Sequence, residues 1–182
     1  MITTFAIHVE DKPGVLTRVS SLFRRRAFNI ESLTVGHTEK PGVSRMTIVI
    51  DTDELGARRI EAHTYKLVNV LRVENITARP GVYRDLAMIK VAASAESRTH
   101  IMQLVDVFRA RVVDVAPDSL IIEITGTEDK IDGLLEVLRP YGVLEMARTG
   151  RIAMARGIRS ATAQAEAASG PSDEDQNVFH SV

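Results

Sequence analysis

Residues 11–35, DKPGVLTRVSSLFRRRAFNIESLTV, join a turn, an amphipathic helix, a tight connection and a strand, and the rest of the chain is organised around them. Pro13 suits a first helical turn, because its missing N–H costs nothing there and its φ is already helical. Asp11 stands just ahead, where a short acceptor side chain caps exposed amides. Val15, Leu16, Val19, Leu22 and Phe23 fall on one face at helical spacing, which predicts a helix over 13–26. Arg24, Arg25 and Arg26 close it, as basic residues complement the C-terminal end of the helix dipole. Gly14 leaves the first amides uncovered, and bare N–H groups at a helix start form a candidate anion site.

Outward from this stretch, residues 2–9 alternate, with Phe5, Ile7 and Val9 on one side and Thr4, Ala6 and His8 on the other, as a strand requires. A second strand is expected over 29–37. The turn Glu39-Lys40-Pro41-Gly42 leads into a third over 44–51, where Met46, Ile48 and Ile50 alternate with polar or outward residues. A weaker helical pattern covers 54–66, with Ile60, His63, Thr64 and Leu67 on one side, and a β-branched run follows over 68–76. The order β-α-β-β-α-β is the ferredoxin-like arrangement.

Ala78-Arg79-Pro80-Gly81 is a turn signal and a candidate boundary. Beyond it the order repeats: a strand over 83–92, a helix carrying Ile101, Leu104, Val105 and Phe108, a strand over 111–116, the turn Pro117-Asp118 and alternation at Leu120, Ile122 and Ile124. Ile131, Leu134, Leu135 and Leu138 mark a further helix that Pro140 ends, and a last strand is expected over 142–149. Phe23-Arg24-Arg25-Arg26 and Phe108-Arg109-Ala110-Arg111 are expected at corresponding helix ends. The chain therefore reads as α+β, two ferredoxin-like βαββαβ domains in tandem over 1–78 and 82–157. From residue 158 alanine, serine and acidic residues dominate with little to bury, so 158–182 is expected to be a mobile tail.

A chain of 182 residues is comfortable for two domains of about 75 residues each. Lysine and arginine nearly balance aspartate and glutamate, for a net charge of −1, so a nucleic-acid footprint is not expected. There is no cysteine, which excludes disulfides, thiolate metal sites and a cysteine nucleophile. The start MITTF lacks the basic and apolar regions of a secretory signal, and no apolar run approaches spanning length, so a soluble cytoplasmic protein is expected. The five histidines show no metal or catalytic spacing, and no phosphate-cradling glycine motif is present.

A free amino acid, by contrast, finds what it needs around the opening stretch. The N–H groups near Gly14, Val15 and Leu16 suit a carboxylate, Asp11 or the Asn29 amide suits an ammonium, and Val15, Leu16, Ile30, Leu33 or Val35 supplies an apolar wall. On spacing alone these residues read first as a cap, a turn and a satisfied buried turn, which are commonplace roles, rather than as a ligand site.

The blocks Glu10-Asp11-Lys12-Pro13-Gly14-Val15-Leu16, Asn29-Ile30-Glu31-Ser32-Leu33-Thr34-Val35 and Ser44-Arg45-Met46-Thr47-Ile48, in that order, resemble the small, regulatory subunit of acetohydroxyacid (acetolactate) synthase. Leu86-Ala87-Met88-Ile89-Lys90-Val91 and Phe108-Arg109-Ala110 extend the resemblance over roughly residues 2–157. It implies that the first domain is an ACT domain, which forms a homodimer and binds valine or another branched-chain amino acid between two copies. The positions it singles out are Asp11, Gly14, Val15, Leu16, Asn29 and Ile30, with Val35 and Gly36 close by. It further implies a non-catalytic chain that stimulates a large catalytic subunit carrying thiamine diphosphate, Mg²⁺ and FAD, and that confers feedback inhibition on branched-chain amino-acid synthesis. Two positions depart from the pattern. Asp11 falls where many members carry asparagine, and Ala27 where glycine is usual. If position 27 requires positive φ, alanine is strained there.

Overall fold

A computed structural model describes residues 1–157; the tail expected over 158–182 lies outside them. The alternation at the N-terminus becomes β1 (Ile2–Glu10), the centre of a four-stranded antiparallel sheet. β3 (Val43–Asp51) lies on one side of it and β4 (Val70–Asn75) on the other, while β2 (Ile30–His37) borders β3 at the edge. Phe5 stands opposite Ile48, and Ile7 opposite both Met46 and Val73. Because side chains alternate across a sheet, these residues share one face. On it pack α1 (Val15–Arg25), through Val15, Val19, Leu22 and Phe23, and α2 (Glu54–Tyr65), through Ala57 and Ile60.

The second sheet has the order β6–β7–β5–β8 and repeats the plan: β5 (Gly81–Ala92), α3 (Arg98–Val107), β6 (Arg111–Val115), β7 (Ser119–Gly126), α4 (Glu128–Leu138) and β8 (Val143–Arg148). Ile89, Ile101, Ile122, Ile131, Leu134 and Leu138 form its buried core. Both halves are thus ferredoxin-like. The strand expected over 142–149 is not the last one. Gly150 adopts φ of 84° and interrupts the strand, and the chain continues in the same direction along β5 into β9 (Ile152–Ala155), which pairs with the first four residues of β5. β5 is long enough to carry β9 and then β8 in turn, while β7 pairs with its residues Asp85–Ala92. Ala153, with Tyr83 and Ala155, then covers Ala6 and Ile76 on the face of the first sheet turned away from its helices.

Two expectations at the helix ends need correction. α1 begins at Val15 rather than Pro13, and Asp11 does not cap it: Gly14 is the N-cap residue, left-handed at φ of 82°, with no side-chain acceptor on the first turn. That turn at Gly14 leaves Asp11 three residues short of the capping position, so its amide bonds the Gly42 carbonyl at 2.8 Å instead. The two phenylalanines expected to correspond are also out of register. Each helix closes with the same pair of bonds, Ala27 N–H to Arg24 and Phe28 N–H to Phe23 in α1, Arg109 N–H to Asp106 and Ala110 N–H to Val105 in α3. Ala27 therefore matches Arg109, and Phe23 matches Val105.

This closing motif demands a left-handed residue just past the helix. Ala27 takes φ of 57° and Arg109 φ of 50°, so the strain expected at position 27 is present. Ala27→Gly is expected to stabilise the fold by about 0.5–1 kcal/mol, the left-handed penalty of a Cβ less the extra freedom of glycine in the unfolded chain. Urea unfolding of the two proteins measures the difference; an unchanged midpoint would show that the loop relieves the strain elsewhere.

Candidate functional site

β2 is the edge of the first sheet, with no strand of the described residues on its outer side. The residues singled out from the sequence gather at its two ends. At one end stand Asp11, Gly14, Val15, Leu16, Val35 and Gly36. The Asp11 carboxylate lies 3.4 Å from Nδ1 of His37, the last residue of β2, which ties the loop before α1 to that strand. At the other end stand Asn29 and Ile30, with Ile30 paired to Ile50. Six residues of extended strand separate Ile30 from Gly36, roughly 20 Å, so one copy of the chain does not bring all eight residues together.

The first group offers two complementary surfaces. The N–H groups of Gly14, Leu16 and Thr17 have no acceptor among the described residues, whereas that of Val15 is taken by the Lys12 carbonyl at 3.3 Å. An N-terminal helical turn with open amides attracts a carboxylate. Val15 itself is 3% exposed and belongs to the core, so its side chain does not wall a pocket. Leu16 and Val35 are 42% and 43% exposed. Val35 stands opposite the buried Met46 and so faces the helix side of the sheet, where it offers the apolar contact that Val15 cannot.

In the second group, Asn29 is exposed and its Nδ2 donates to Glu31 Oε1 at 2.5 Å. That bond turns the amide donor inward on its own strand and leaves Oδ1 as a free acceptor, the polarity an ammonium requires. Ile30 packs partly against the core. His37, the contact of Asp11, was not distinguishable in the sequence from any histidine beside a loop.

The opposite face of β2 is held by a segment that the sequence did not single out. Arg151 N–H donates to Ser32 Oγ at 2.9 Å, and Thr34 Oγ1 donates to the Thr149 carbonyl at 3.2 Å. The Arg151 guanidinium bonds Glu128 at 2.7 Å and lies 5.7 Å from the Tyr83 ring centroid. Its neighbour Arg148 donates to Asp85 at 2.9 Å and Asp132 at 3.2 Å. The strand carrying the candidate site is therefore fastened to the second half of the chain.

Further along that face, burial and then the charges of Arg45 and Arg72 hold the His8 imidazole below its usual 6.5. A histidine depressed in the fold stays neutral where the unfolded chain already takes up its proton. Its contribution to stability is complete above about 6.5 and is lost as pH falls toward the depressed value. His8→Gln is therefore expected to flatten the loss of stability between about pH 7 and about pH 5.5, measured by urea unfolding across that range. Among the described residues, no cluster of three histidine, cysteine or carboxylate side chains is placed to hold a metal ion, and no helix is long and apolar enough to cross a membrane.

Residues 5–72 match the model of an AHAS small subunit-like ACT domain, and residues 84–157 match that of the small subunit of acetolactate synthase. The chain is 49% identical over 156 residues to the acetolactate synthase small subunit of Mycolicibacterium smegmatis, covering 86% of this chain and 92% of that one. The corresponding protein of Mycobacterium leprae is 47% identical over 156 residues, with the same coverage of both. Among solved structures, the acetolactate synthase small subunit of Thermotoga maritima superimposes with a TM-score of 0.82 at 41% identity, over 87% of this chain and 99% of that one.

Proposed function

We propose that this chain, which belongs to the acetolactate synthase small-subunit family, raises the activity of a large catalytic subunit and returns that activity to control by valine. The observation that carries the amino-acid site is the division of its residues between the two ends of an open edge strand. Two copies pairing antiparallel along β2 would set Asn29 and Ile30 of one protomer beside Gly14, Leu16, Val35 and Gly36 of its partner. The open amides at Gly14 and Leu16 would take the valine carboxylate, Asn29 Oδ1 its ammonium, and Leu16 and Val35 its isopropyl group. Asp11 adds a negative charge near the carboxylate end, countered by His37 when that ring is protonated.

In this assignment the first domain, 1–78, dimerises and binds effector, and the second, 82–157, joins the contact with the catalytic subunit. The chemistry stays in that partner with its thiamine diphosphate, Mg²⁺ and FAD, in the cytoplasm; this chain supplies no catalytic residue. Valine acts only to the extent that it prefers one arrangement of the small-subunit dimer over another. The test is acetolactate formation by the cognate catalytic subunit, with and without this chain, across a valine titration. Stimulation that valine reverses is the expected result. Absence of stimulation from a folded dimer would instead favour a free-standing amino-acid sensor with another client.

A further inference from the structure

Arg45 lies in one of the family-like blocks, yet it takes no part in the amino-acid site. It stands opposite His8, on the face of the first sheet away from the helices. There the two floor a cleft between that sheet and the chain leaving β9. Arg45 is only partly exposed, and burial weakens its hold on its proton. Its side chain's one hydrogen-bond partner among the described residues is the neutral carbonyl of Ala153. No carboxylate of the described residues comes within ion-pairing distance of it. Beside it His8 Nδ1 is sealed from solvent and has no partner. A partly desolvated cation with no carboxylate at ion-pairing distance and a buried polar atom without a bond are both costly, and proteins ordinarily retain such groups where something pairs with them.

The walls carry the same sign. Arg79, from the segment between the two sheets, and Arg156, just past β9, line the cleft with exposed side chains. Neither is ion-paired among the described residues. Of the carboxylates in the lining, Glu74 is ion-paired to Arg72, and Glu74 and Glu39 both act on Arg45 only at a distance. We propose that this cleft binds a small polyvalent oxyanion of the phosphate class, held by Arg45 and His8 at the floor and by Arg79 and Arg156 at the rim. Guanidinium groups match such an anion through paired N–H donors. The His8 tautomer protonated at Nδ1 supplies a further donor. The occupant would bridge the first sheet and the end of the second half, on the sheet face away from the helices, with His37 shared between this cleft and the Gly14 end of β2.

The test needs neither valine nor a catalytic subunit, so its outcome is independent of the regulatory assignment. Sodium pyrophosphate is titrated calorimetrically into the full chain at ionic strength held constant with chloride. One saturable site per chain is expected, with a dissociation constant below about 1 mM. The rim variant Arg79→Gln/Arg156→Gln, altered only at exposed side chains, should weaken binding at least about tenfold. Arg24→Gln/Arg25→Gln, at the far end of α1, should leave it unchanged. Saturation should also raise the His8 pKa followed by NMR, because an anion offsets the neighbouring guanidinium charges. No saturable heat, full affinity in the rim variant, equal loss in the α1 variant, or an unmoved His8 would each overturn the proposal.

Discussion

In a holoenzyme that valine inhibits, Asn29→Ala is expected to raise the half-inhibiting valine concentration by about 10- to 100-fold, the cost of one lost hydrogen bond to a charged group. Stimulation without valine should persist, because Asn29 is exposed and its side chain bonds only Glu31 among the described residues. The variant removes the acceptor offered to the ammonium without touching the core. Asp11→Asn separates the two ends of the site. Removing that charge eases the approach of the valine carboxylate to the Gly14 amides, so this variant should respond to lower valine, the opposite direction. Both are read from inhibition curves on acetolactate formation. Equal inhibition of Asn29→Ala and the parent protein would remove Asn29 from the site and leave the Gly14 end to be tested alone.

Why some of this was visible in the sequence and some was not follows from range. Alternation at Phe5, Ile7 and Val9 and helical spacing at Val15, Val19 and Phe23 are local, and each element they predict is present. The second helix carried a weak apolar pattern, but its boundary had a legible signal in Asp53, whose carboxylate accepts from the Gly56 amide at 2.6 Å. Pro13 misled because a fixed φ near the helical value also suits the turn ahead of a glycine N-cap. The β9 strand was missed because four residues give too short a run for periodicity. The partners of Thr149 and Arg151 just ahead of it, Ser32, Thr34 and Thr4, are more than a hundred positions away in the chain. Of the site, the residue types were legible and their arrangement only in part. The strand expected over 29–37 already sets Asn29 and Gly36 at its opposite ends, but nothing in one chain's sequence states that its outer side carries no strand of the described residues.

Gly150→Ala is expected to cost about 2–3 kcal/mol. Two separate effects meet there. The residue sits at φ of 84°, and a Cβ at left-handed φ costs about 1 kcal/mol or more. That Cβ would also lie 2.5 Å from Ser32 Oγ and 3.2 Å from Thr34 Oγ1, so the segment must lift from β2. Lifting it breaks the Arg151 bond to Ser32 and the Thr34 bond to Thr149, each worth about 1 kcal/mol or less at a partly exposed site. The expected fall in melting temperature is about 6 °C for a chain of this size. The melting curve should also broaden as the two halves lose a shared fastening. Ser32→Ala distinguishes the two causes. Alone it removes one hydrogen bond; in Gly150→Ala it also removes the atom that the new methyl would strike. The double variant should therefore be less destabilised than the sum of the single ones. What remains in it measures the backbone term, since no change at Ser32 relieves φ at position 150. Strict additivity would instead mean that the segment already stands clear of β2 in solution, and that the second half does not hold the strand on which the effector residues lie.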